Sequence, residues 1–148
     1  MNKRGVTLVE LIVVFVVIAI GATLMVPGFT RWMPKYRIRS ATRDIVSTMR
    51  AAQLRAVANS LNYQVVFTPA GPGLGTYVLQ RNSGGVSTND GVAQTVPAGI
   101  TFVTTFPGNT VVFSSNSTAT AGNVTVSSPG ESQRRITVLS SNGRVSAQ

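Results

Sequence analysis

Lys3-Arg4-Gly5-Val6-Thr7-Leu8-Val9-Glu10 opens a stretch that then carries no charge from Leu11 to Thr30. Two cations come first, then a small residue, then a long aliphatic run with one carboxylate near its start. Residues 6–26 make 21 positions, about 31 Å of helix at ~1.5 Å per residue, enough to span the hydrocarbon core of a bilayer. A secretory signal has a shorter apolar region that ends at a small-residue cleavage site. Here the small residue, Gly5, precedes the apolar run, so cleavage after it would remove a basic leader and keep the helix. A lone ionised carboxylate in such a helix costs about 2.5–3.5 kcal/mol on insertion scales. Glu10 is therefore a candidate functional residue that needs a partner.

Working outward, 148 residues suit one compact domain with an appended helix. There is no cysteine, hence neither a disulfide nor a thiolate metal site. There is no histidine either, which removes the commonest general base and metal ligand. With four carboxylates spread along the chain, no acid–base pair or metal cluster can be assembled, and an enzyme is the weakest reading. The glycines of residues 71–75 lack the phosphate-loop spacing and its lysine. No cofactor is implied.

The net charge is +9, from 13 basic and 4 acidic residues, and it is unevenly placed. Lys3 and Arg4 put the N-terminus in the cytoplasm by the positive-inside rule. The cluster Arg31, Lys35, Arg37, Arg39 and Arg43 beyond the helix pulls the other way, so charge alone leaves the topology open. Pro27-Gly28 ends the apolar run and should kink or interrupt the helix, since proline lacks an N–H and clashes with the carbonyl four residues back. Marking the membrane exit is an equal alternative for Pro27.

Ile38, Ala41, Ile45, Met49, Ala52 and Ala56 recur at spacings of three and four, one narrow apolar helical face. Arg39, Arg43 and Arg50 project opposite, as a solvated face, a headgroup contact or a subunit contact. After Ser60 the period changes to strands at 63–67, 76–81, 92–96, 100–104, 110–114, 123–127 and 135–139, separated by Gly, Pro and Asn turns. Asn142-Gly143 predicts a type I′ hairpin returning Arg144-Val145-Ser146 onto the preceding strand. The expected fold class is α+β: a long N-terminal transmembrane and amphipathic helix packed on an antiparallel β-sheet head.

Arg4-Gly5-Val6-Thr7-Leu8-Val9-Glu10-Leu11, followed by Ile12 and the aliphatic helix, closely resembles the class III signal of type IV pilins and type II secretion pseudopilins. The segments 110–114, 123–126 and 135–138, with Asn142-Gly143-Arg144-Val145, resemble the GspH/FimT-type minor pilins. The resemblance implies a lollipop-shaped subunit. Residues 1–5 would be a leader, 6–30 a transmembrane assembly helix, 31–61 its amphipathic continuation and 62–148 the β-rich head. It further implies cleavage by a prepilin peptidase between Gly5 and Val6 and N-methylation of Val6, which replaces the more usual phenylalanine. Glu10 would pair with the N-terminal amine of a neighbouring subunit, whereas a carboxylate that merely reaches the cytoplasmic interface is the plain alternative. The region of Pro27 would melt locally on packing.

The partners implied are other pilin or pseudopilin subunits, the peptidase, an inner-membrane assembly platform and membrane lipid. The localisation implied is the bacterial inner membrane, N-terminus cytoplasmic and head periplasmic or extracytoplasmic, and then a pilus or pseudopilus. A second function is DNA capture in natural transformation. FimT-like proteins carry a terminal Gly-Arg-x-Arg, but Gly143-Arg144-Val145-Ser146 lacks the second arginine. Arg134, Arg135 and Arg144 remain a candidate phosphate patch across the terminal hairpin, against the plainer reading of a solvated hairpin.

Overall fold

The computed structural model describes residues 7–138 and 142–148, and within these the side chains of 24–31 lie outside the description. The chain forms two compact units, Met1–Met33 and Pro34–Gln148. Helix α1 spans Leu8–Asn59. Thr7 caps its start, its Oγ1 accepting the Glu10 N–H at 3.3 Å, so Thr7-x-x-Glu10 supplies half of a capping box. The expected interruption at Pro27 does not occur: α1 continues through it. A proline removes one hydrogen bond of a ladder, and neighbouring turns can carry a helix across that gap.

The helix ends in a Schellman arrangement. Ser60 takes the left-handed conformation (φ 53°), its N–H bonds to Val57 O at 3.3 Å, and the Leu61 N–H reaches Ala56 O at 3.2 Å. Leu61, half-buried, packs against the core just beyond the cap.

Two antiparallel sheets follow. The first orders β3 (Val86–Asn89), β2 (Thr76–Ser83), β1 (Asn62–Thr68) and β6 (Thr110–Phe113), with the two-residue β4 (Gln94–Thr95) also on β2. The second orders β5 (Thr101–Thr104), β7 (Gly122–Ser127), β8 (Arg134–Val138) and β9 (Val145–Ala147). Period-two alternation buries Tyr63, Val65 and Phe67 of β1, Val124 and Val126 of β7, and Ile136 and Val138 of β8. These join the α1 face of Ile38, Ala41, Ile45, Met49, Ala52 and Ala56 in one core. Alanines at three of those six helical positions allow close approach of the sheet. Phe67 links the two sheets, its ring 5.7 Å edge-on from Phe102 of β5 and 6.3 Å stacked on Phe106. The fold is α+β, a long N-terminal helix with antiparallel sheets, as the sequence implies.

Three expectations need correction. The strand expected at 92–96 shrinks to Gln94–Thr95, with Val92 87% exposed in the preceding loop. Val86–Asn89 is a strand the sequence reading missed; it is exposed throughout, so no alternation betrays it. The terminal hairpin exists, but the last pair is Val138 with Val145, leaving six intervening residues (139–144) rather than a two-residue turn. Residues 139–141, at the end of the strand expected at 135–139, lie outside the described residues.

Candidate functional site

The first candidate is the N-terminal helix. In the described part of this unit Leu11, Ile12, Val14, Phe15, Ile18 and Ile20 are exposed; Phe15 is 63% and Ile18 60% accessible. Apolar residues occupy every side of the helix, a surface that a globular chain would normally cover. The Thr23 hydroxyl donates back to Ile20 O at 2.8 Å, so this polar group adds no unmet demand to the apolar surface. Glu10 lies in the first turn, exposed, where a carboxylate complements the positive end of the helix. Among the described residues the one ion pair is Arg55–Asp90, and Glu10 has none. Among the described residues no helix is long and apolar enough to cross a membrane. The apolar run read from the sequence continues into positions 24–26, whose side chains are outside the description. Gly5 and Val6, the expected cleavage pair, also lie outside it.

The second candidate is the basic head, all of it within the second unit. Arg134 shares the parity of buried Ile136 and Val138, so it points to the helix side of its sheet, while Arg135 points to the other. The two therefore do not form one patch. Arg135 lines a groove with Thr125, Gln133 and Gln148. Arg134 instead lines a groove of about 700 Å³ with Arg39, Arg43 and Arg50 of α1. Arg144 lines an adjoining groove with Gln53 and Asn142, and the two grooves share Arg50 and Leu54.

The Arg144 loop is tied to α1. Gln53 Nε2 donates to Asn142 O at 3.1 Å, and Asn142 Oδ1 accepts the Arg144 N–H at 3.0 Å. Gly143 sits at φ +59°, where a Cβ would come within 3.0 Å of both Gln53 Nε2 and Ser117 O. Only glycine fits that close approach. The sequence reading named Arg134 and Arg144 as site candidates but left Arg39, Arg43 and Arg50 between a solvated face, a headgroup contact and a subunit contact. Their spacings of four and seven place them on one stripe, which was the available signal.

A third feature joins the helix to the first sheet. Arg55 Nη1 meets Asp90 Oδ2 at 2.7 Å, and the Tyr77 hydroxyl donates to Gln94 Oε1 at 2.8 Å. Burial, with the negative field of Asp44 behind it, pushes the Tyr77 phenol up to about 12, against an opposing pull from the Thr48 hydroxyl. The ion pair is half exposed and contributes little, about 0–1 kcal/mol. Among the described residues no group of His, Cys, Asp and Glu could hold a metal ion.

Residues 1–26 match the prokaryotic N-terminal methylation motif, and residues 41–143 match the type II transport protein GspH family. No curated protein sequence matches the chain. Among solved structures, the type IV minor pilin FimU of Pseudomonas aeruginosa is similar at a TM-score of 0.64 and 14% identity, over 79% of this chain and 92% of that one. The minor pseudopilin EpsH of the Vibrio cholerae type 2 secretion system is similar at 0.58 and 14%, over 74% of this chain and 93% of that one. At this identity the likeness is one of fold. The family match covers most of the β head and its packing helix, and the methylation motif covers the apolar start. The chain belongs to the GspH family of type II transport proteins and carries its N-terminal methylation motif.

Proposed function

We propose that the chain is a structural subunit, a minor pilin or pseudopilin, that enters a filament through its N-terminal helix. The observation that carries this reading is an exposed helix, apolar on all sides, with a single carboxylate in its first turn. Such a surface is stable only when lipid or other helices cover it. The precursor sits in the inner membrane with its head outside the cytoplasm. A prepilin peptidase cuts between Gly5 and Val6, and Val6 is methylated. The amine created at Val6 then neutralises Glu10 of a neighbouring subunit, which offsets part of the burial cost of both charges and sets the axial register. Pro27 is the point at which the helix adapts to packing. Residues 1–5 act as leader, 6–30 as assembly helix, 31–61 as its amphipathic continuation and 62–148 as head. The protein is a substrate of processing enzymes and not a catalyst.

The DNA-capture alternative gains nothing from the geometry. Arg135 is separated from Arg134 and Arg144, and among the described residues no aromatic side chain lines any of their three grooves to stack on a base. The subunit reading is tested by mass spectrometry of the chain purified from its native membrane. It predicts an N-terminal peptide beginning at N-methylated Val6. An intact leader, or a cut downstream of the apolar helix, would overturn it.

A further inference from the structure

The groove between α1 and the β8–β9 hairpin is lined by four arginines, Arg39, Arg43, Arg50 and Arg134, together with buried Val46 and exposed Leu54. Arg39 to Arg50 covers about 16 Å of helix at ~1.5 Å per residue. None of the four makes an ion pair among the described residues, where Asp90 is taken by Arg55. Asp44, the nearest acid in sequence, contacts Ser40 at 3.4 Å and acts electrostatically on Tyr77. Asp44 also shares a groove with Arg39 and Arg43, but one carboxylate against these two, with Arg50 and Arg134 beyond them, leaves the stretch net positive.

We propose that this groove seats an acidic segment of a different subunit, with an apolar side chain of that segment resting on Val46 and Leu54. The proposal builds on the subunit reading above and adds which partner the head selects. Charge complementarity excludes a second copy. This chain is +9, and its four carboxylates (Glu10, Asp44, Asp90 and Glu131) lie far apart in sequence, so no segment of it offers two negative charges together. A filament made of this chain alone would set one basic head against another. The protein is thus built to be interleaved with acidic neighbours, and opposite charge selects those neighbours over copies of itself. The apolar side chains of Val46 and Leu54 among the arginines favour a protein segment over a nucleic acid.

The test is photo-crosslinking of the full chain in its native cells, with a photoreactive residue replacing Leu54 and, separately, one replacing Phe15. Crosslinked peptides are identified by mass spectrometry. The Leu54 probe should join a peptide of a different filament subunit that carries at least two carboxylates. Arg43→Glu combined with Arg50→Glu should cut that adduct about tenfold or more. Reversing the identified carboxylates to lysine should restore it. Normal assembly of the doubly reversed chain, read by the Phe15 adduct, keeps a folding defect from imitating the result. Adducts to another copy of this chain, to lipid or to nucleic acid, or no adduct at Leu54, would overturn the proposal. Loss of the Leu54 adduct alone leaves the subunit reading intact, whereas absence of the Phe15 adduct strikes at that reading.

Discussion

One helix carries two regions with opposite needs. Between Ile38 and Ala56, α1 meets its partners inside the chain: Ile45, Met49, Ala52 and Ala56 are fully buried against the sheets. Between Leu8 and Ile20, every large apolar side chain is exposed. The backbone is the same, and the hydrophobicity of the second region is the greater. The difference lies in patterning. A stripe at spacings of three and four can be satisfied by one sheet, while a helix apolar on all sides needs an apolar medium around it. The first region therefore stabilises this protein, and the second joins it to something else.

The largest effect expected from breaking this contrast is at Phe67, the ring that links the two sheets. Phe67→Ala should destabilise the head by about 3–5 kcal/mol. Phe15→Ala, an equal deletion on the exposed region, should leave head stability within about 0.5 kcal/mol. Both are read from urea unfolding of the full chain in detergent by the circular dichroism of the sheets. Equal losses in the two variants would contradict the division.

A smaller effect is expected at Tyr77, whose phenol stands near 12 when folded against a reference of 10.0. The folded state holds its proton after the unfolded state has released it. The contribution is thus fully present below pH 10 and lost as pH rises through about 12, on the order of 2 kcal/mol in all. Tyr77→Phe should flatten that part of the stability profile, and an unchanged slope between the two pH values would remove Tyr77 as its cause. The smallest effect concerns the cap that ends the packed region. Ser60→Gly relieves a left-handed serine and should raise stability by about 0.5–1 kcal/mol in the same unfolding experiment. A loss of stability would mean that the Ser60 side chain has a role beyond its backbone angle.

Much of this division was legible in the chain. All six residues of the expected helical face are buried, but Thr42 and Val46 join them and widen it. Thr42 was hidden because its hydroxyl is polar in sequence; in the fold it donates to Ile38 O at 2.7 Å and can be buried without penalty. Val86–Asn89 was hidden for the opposite reason, since a strand exposed on every residue has no hydrophobic period. Adjacency misled at Arg134 and Arg135, where consecutive strand residues face opposite sides. The groove that Arg134 forms with Arg39, Arg43 and Arg50 depends on a tertiary contact between distant segments, which local pattern cannot register. By contrast, the signal of residues 3–11 is contiguous, so it could be read whole.

The central claim is that the exposed region is an assembly device with Glu10 as its register. Its most direct test is recovery of Glu10→Ala in sheared filaments, normalised to membrane-inserted, leader-cleaved protein. The account predicts normal insertion and cleavage, with incorporation reduced to background. Incorporation at the level of the unmodified chain would contradict it.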